Sequence, residues 1–230
     1  MNVEVWSDIA CPFCYIGKRK FEMALEDFEG KNDVNVTFKS FQLEPDAPKH
    51  SVESMNEKLA KKYGKSVEEM AAMQQQVAAQ AEEVGLNYRL DLVQSTNTEA
   101  AHRLTHYAKE HGKMNELTEK LLHAYFIEGK HIGEEQELVR LAEEVGLKKE
   151  AVQNILASGA YKEAVQQDIR EGAELGVQGV PFFVFNRKYA VSGAQPPEAF
   201  LEVLNKVKAE EKPSPLNVVK QGDACSDETC

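Results

Sequence analysis

No stretch of the 230-residue sequence approaches the ~18 consecutive apolar residues of a membrane span, and residues 1–30 hold no basic segment followed by an apolar one. The sequence therefore predicts a cytoplasmic chain with no membrane partner. Positive charge is in deficit: 27 Lys and Arg against 38 Asp and Glu leave a formal net charge of -11. Nucleic acids and anionic membrane surfaces require a basic face, which excludes both and leaves proteins or small molecules as partners. Cysteine is scarce. The four present form two close pairs, Cys11 with Cys14 and Cys225 with Cys230, which does not resemble a secreted disulfide framework. A structural zinc site built on Cys11 and Cys14 needs two further ligands, and the other cysteines lie at the far end of the chain, so no metal is expected.

What is present centres on Cys11-Pro12-Phe13-Cys14. Val3 and Val5 alternate with polar residues before Trp6, which predicts a strand from Met1 to Ser7 ending just before the cysteines. Pro12 suits the first position of a helix, where its missing N–H goes unused, and this makes Cys11 the N-cap. A sulfur there lies against free N–H groups and the positive end of the helix dipole, which favours thiolate. Cys14, one turn further on, faces the core. The pair is thus expected to divide into an exposed nucleophile, Cys11, and a buried resolving thiol, Cys14. Gly17, Phe21, Ala24, Leu25 and Phe28 continue an apolar stripe at helical spacing, and Gly30 offers a stop.

Alternation returns at Val34 to Phe38, giving strand, helix, strand with a right-handed crossover and parallel strands. From about Ser51 to Gly176 only amphipathic helices are predicted. Ser54 with Glu57 and Ser66 with Glu69 have capping-box spacing, and Val67, Met70, Met73, Val77, Ala81 and Val84 form one apolar stripe, which assigns both methionines to core filling. Strand character reappears at Val180 to Phe185 and Tyr189 to Val191 across the polar turn Asn186-Arg187-Lys188. A last helix begins near Pro197, and a polar tail follows from Pro213.

This order, with a motif strand and helix, a helical insertion, and a final half opened by Val180-Pro181, resembles the thioredoxin fold in its DsbA-like form. Ser7 to Gly17, Phe41-Gln42-Leu43-Glu44-Pro45, Asn97 to Leu104, Ala124 to Gly129, Gly179 to Phe183 and Ser192 to Pro197 are similar to the cytoplasmic FrnE-like branch, except that Phe13 stands where that branch commonly has tryptophan. The resemblance implies an α/β thioredoxin fold with a large all-helical insertion: residues 1–48 and 177–212 as the thioredoxin-like halves, 49–176 as the insertion, and 213–230 as a flexible tail. It implies exchange with protein thiols and disulfides, Cys11 attacking, Cys14 resolving, and Pro181 as a cis-proline facing them. Pro12, Phe13 and Val180 are expected in the substrate site. No bound cofactor is implied, with glutathione or a thioredoxin-type reductant as redox partner. The same superfamily contains glutathione-dependent enzymes of the 2-hydroxychromene-2-carboxylate isomerase and kappa-class transferase types, in which serine replaces the first cysteine. Asn97 and Arg103 resemble that group and make it the alternative, while Cys11 argues against it.

Other residues carry weaker signals. His102 and His106 lie one helical turn apart but lack an acidic third ligand at motif spacing, so they read as a solvated or core-satisfied pair. Asp8 either ends the first strand with a side-chain turn or accepts a proton from the thiol pair. In the tail, the chain from Pro213 to Cys225 extends to roughly 40 Å, against an expected radius of gyration of about 17 Å. Cys225 and Cys230 are therefore expected to act as a second redox pair able to reach Cys11.

Overall fold

The computed structural model of the chain describes residues 1–211. The expected Cys225 and Cys230 pair lies outside them. Strand β1 (Asn2–Ser7) is the centre of a four-stranded sheet of order β2-β1-β3-β4. It runs parallel to β2 (Asn35–Ser40) and antiparallel to β3 (Phe182–Phe185), which pairs antiparallel with β4 (Tyr189–Ser192). Helix α1 (Pro12–Glu26) makes the parallel crossover between β1 and β2. In the sheet register Val5 sits between Phe38 and Phe183. Its neighbours on that face join a core built on Phe21, Phe28, Phe185 and Phe200, with the Phe183 and Phe200 rings 4.7 Å apart. Helix α9 (Pro197–Glu211) packs beside α1 and closes this layer.

Seven helices lie between β2 and β3: α2 (Met55–Tyr63), α3 (Val67–Glu82), α4 (Glu99–Glu110), α5 (Met114–Phe126), α6 (Glu135–Glu144), α7 (Lys149–Ser158) and α8 (Lys162–Glu174). Both predicted capping boxes form. Ser54 and Ser66 accept from the backbone N–H of Glu57 and Glu69, whose carboxylates accept in return from the cap N–H groups. Leu104, Leu117, Leu121 and Tyr125 build a second core that takes in Ile9, Tyr15 and Ile16, so the motif helix is shared by both halves of the molecule. The opposite face of β1 presents Trp6 to α8. Its indole N–H donates to the Asp168 carbonyl at 2.8 Å, and a Cβ at Gly172 would come within 2.6 Å of that nitrogen.

Two boundaries and one buried face differ from the sequence reading. Helix α1 ends at Glu26 instead of Gly30, because Phe28 leaves the helical path to enter the phenylalanine core. Strand β3 starts at Phe182, since Pro181 has no N–H to give a ladder. The apolar stripe of α3 is only partly covered: Met70 and Ala81 are buried, but Val67 and Met73 are exposed. Among the described residues no helix is long and apolar enough to cross a membrane.

Candidate active site

Cys11 is the N-cap of α1, in extended conformation with Pro12 in the first helical turn, and Cys14 N–H donates to the Cys11 carbonyl at 3.0 Å. The Cys11 thiol makes no capping bond to the helix. It donates instead to the Val180 carbonyl at 3.5 Å, across the cis Val180-Pro181 peptide. The close approach of α1 to that loop depends on Gly17, where a Cβ would meet Pro181 Cγ at 2.9 Å. This loop covers the sulfur: Cys11 is 4% exposed and Cys14 2%. The expectation of an exposed Cys11 is therefore corrected, because the Val180 segment arrives from a part of the chain 169 residues away. Pro181, Val180, Pro12 and Phe13 are brought together with the thiols, and Phe13, 38% exposed, is the aromatic at the mouth of the site.

Burial pushes the Cys14 thiol up, and neighbouring Cys11 adds to the shift, while the Ser7 hydroxyl and the Asp8 backbone act in the opposite direction. Ser7 Oγ is buried and has no hydrogen-bond partner of normal geometry among the described residues. Asp8 makes the predicted turn, accepting from Ala10 N–H at 3.3 Å, and does more: its other oxygen accepts from Leu43 N–H at 2.8 Å, and His102 Nε2 stands 3.2 Å from Oδ1. His106 turns to a different carboxylate, Asp168, at 3.1 Å. The two histidines are thus core-satisfied separately and share no ligand site.

Tyr88, not singled out from the sequence, fixes the motif from the helical side. Its hydroxyl donates to the Pro12 carbonyl at 2.7 Å, and its ring stacks on Phe126 at 4.9 Å. Burial, reinforced by Cys11, holds the phenol well above its ordinary pKa, so it remains a donor. A tyrosine in a loop carries no periodic signal by which to find it.

Beside Cys11 opens a cavity of about 400 Å³ between the motif and the α2–α3 hairpin. Its wall includes Met55, Met70, Met73, Val77 and Phe126, with Lys58 and Lys62 both paired to Glu44 on one side. Met70 and Met73 thus line a cavity instead of simply filling a core, and Met73 is 41% exposed. Asn97 and Arg103, expected to bind substrate, are engaged elsewhere. Asn97 Nδ2 donates to the Pro45 and Ala47 carbonyls, at 2.8 and 3.2 Å, and Arg103 is buried, donating to the carbonyls of Ala160, Ile155 and Leu156 at the end of α7. Their polar groups are used to tie loops and a helix end to the insertion.

A sheet of this order, a dithiol at the start of its first helix and a cis-proline opposite are features of the thioredoxin fold, and the seven helices inserted between β2 and β3 give it the DsbA-like form. The chain belongs to the DSBA-like thioredoxin domain family, whose model matches residues 2–205. It is similar to the probable DsbA oxidoreductase SCO1869 of Streptomyces coelicolor, with 40% identity, coverage of 100% of this chain and 98% of that one, and a TM-score of 0.88. The uncharacterized protein YwbO of Bacillus subtilis (strain 168) is 30% identical over 186 residues, 80% of this chain and 86% of that protein. The cytosolic disulfide reductase DsbM of Pseudomonas aeruginosa shares the fold at 16% identity, with a TM-score of 0.65 over 91% of this chain and 100% of its own.

Proposed function

We propose that the protein is a cytoplasmic thiol-disulfide oxidoreductase of the FrnE-like kind, acting on protein disulfides through Cys11 and Cys14. The observation that carries this reading is the placement of the Cys11 sulfur: at the N-cap of α1, against the Val180 carbonyl, and bordering an apolar cavity, with Cys14 one helical turn behind it. As reductant, the Cys11 thiolate attacks one sulfur of a substrate disulfide, forming a mixed disulfide and releasing the first substrate thiolate. The Cys11 charge is then gone, which removes one of the two groups of effects that raise Cys14. Cys14 gives its proton to the released substrate thiolate and attacks Cys11 Sγ, forming the Cys11–Cys14 disulfide and breaking the mixed disulfide as the second substrate thiolate departs. Two electrons pass from the dithiol to the substrate. Glutathione or a thioredoxin-type dithiol then reduces the enzyme, and the reverse sequence oxidises a substrate dithiol. Pro12, Phe13 and Val180 hold the substrate segment, pairing with its backbone along Val180 and meeting its apolar side chains in the cavity.

Replacing Cys14 by Ser is expected to accumulate covalent adducts on Cys11 that dithiothreitol dissolves. Full activity of Cys11→Ser in insulin reduction and in oxidative refolding would sink the proposal. The volume and apolar lining of the cavity also suit a small aromatic electrophile, which favours one second reading: glutathione-dependent isomerisation or conjugation. Calorimetry on Cys11→Ser separates the two, since glutathione binding there supports the second and its absence removes it.

A further inference from the structure

Far from the thiols in sequence, the connection between β2 and α2 meets the corner between α5 and α6 at three side chains whose donor atoms converge. His50 Nε2 stands 3.3 Å from Glu134 Oε1, the rings of His50 and His131 are 5.1 Å apart, and the ligand atoms of His50, His131 and Glu134 all lie within 4.8 Å of one another. We propose that these three residues bind a divalent first-row transition metal ion with the coordination preferences of zinc.

The donor set is two imidazoles and one carboxylate, the combination that zinc and its neighbours prefer over magnesium or calcium. The spacing fits as well. Two metal–donor bonds of about 2.05 Å at the tetrahedral angle place their donors roughly 3.3 Å apart, which is the His50 to Glu134 separation. A metal ion thus fits between these two donor atoms at the separation they already have, and a modest side-chain rotation brings in His131. A fourth position faces solvent, since His50 is exposed and the other two are half-buried.

The surrounding backbone is built tightly around these residues. Glu134 is the N-cap of α6, and its N–H donates to the His131 carbonyl at 3.0 Å. A Cβ on Gly133 would come within 2.8 Å of the His131 ring and also strike the Thr96 hydroxyl. That hydroxyl donates to the Lys49 carbonyl at 2.8 Å, which fixes the residue before His50. Gly133 N–H donates to His131 Nδ1 at 3.2 Å, and metal binding through either ring nitrogen exchanges this one bond for coordination. An exposed His–Glu ion pair alone contributes little, with a median of about 0–1 kcal/mol, and it would need neither the third residue nor the cradle. Bound metal would tie the segment that starts at the cavity wall, Leu43 and Glu44, to the start of α6.

Cobalt(II) is the probe, because thiolate and imidazole ligation differ in absorbance. In the full chain with Cys11, Cys14, Cys225 and Cys230 all replaced by Ser, one equivalent of cobalt(II) should give d–d bands without thiolate charge transfer. Loss of one ligand in His131→Ala or His50→Gln should weaken binding by at least about 100-fold, the upper range seen even for outer partners of metal ligands. His123→Ala, which removes a surface His–Glu pair elsewhere (His123 Nδ1 to Glu128 at 3.0 Å), should leave affinity unchanged. If the four-serine chain does not fold, histidine nitrogen NMR of the native chain with its thiols oxidised serves instead, and one equivalent of zinc should shift the rings of His50 and His131 but not His123. No saturable uptake, or uptake indifferent to His50 and His131, overturns the proposal.

Discussion

The α2–α3 hairpin and the α4–α8 bundle are both helical and both inserted between β2 and β3, yet they are held by different forces. Helix α5 alone buries eight residues, whereas α2 buries only Ala60 and α3 only Met70 and Ala81. The hairpin relies on its two capping boxes and on charged pairs such as those of Lys58 and Lys62 with Glu44, while its apolar residues Tyr63 and Met73 face the cavity or solvent. The bundle is a packed core and the hairpin is a wall with slack. On the proposed function, a site that accepts disulfides in varied protein surroundings needs one rigid side to hold the thiols and one side that adapts, and flexible methionines suit the second role.

The sharpest way to break this comparison is a matched pair of truncations. Leu121→Ala, in the bundle, should cost about 2–5 kcal/mol of stability in urea unfolding, because Leu121 is fully buried. Met73→Ala should cost well under that and should raise KM for disulfide substrates with kcat retained. Equal destabilisation of the two variants would show that the hairpin is core after all.

The seam between bundle and sheet provides a second test through pH. Burial alone would raise the Asp168 carboxyl, but bonds from His106, from Lys39 and from Ser40 N–H outweigh it and hold the carboxyl below its ordinary value. A carboxyl whose folded pKa is depressed contributes stability that is present above the unfolded value, near 3.9, and is lost as pH falls through the folded value. Asp168→Asn should therefore lower stability by about 3 kcal/mol near pH 7, as breaking a buried charge pair does. The gap from wild type should close as pH drops below about 4. A gap independent of pH would assign Asp168 a purely steric role. The smallest effect is expected at the hairpin's caps: Ser66→Ala should cost about 1 kcal/mol, and hydrogen exchange should show the loss concentrated in α3, with α5 unaffected.

Much of this was legible in the chain because it is local. The cysteine pair at a strand–helix junction, the capping boxes at Ser54 and Ser66, and the phase of β1 all follow from spacing of a few residues. The resemblance to a family supplied the cis-proline, which spacing alone does not reveal. What is not legible is long-range. The covering of Cys11 requires knowing where Val180 returns, and the apolar stripe of α3 looks the same in sequence whether it faces a core or a cavity. The bonds of Asn97 and Arg103 are not legible because a polar side chain that satisfies distant carbonyls, such as those of Pro45 or Ile155, has no counterpart in periodicity. Asp8 and His102 each stand out in the sequence, but their pairing joins residues 94 apart.

The bond from Tyr88 to the Pro12 carbonyl has a mechanical meaning. Two contacts hold the start of the motif: the Cys11 sulfur lies against the Val180 carbonyl of the loop before β3, and the Pro12 carbonyl accepts from the Tyr88 hydroxyl of the segment that follows α3. The sheet and the insertion thus hold neighbouring residues at the attacking end of the dithiol, so a displacement of either side acts directly on the position of the Cys11 sulfur.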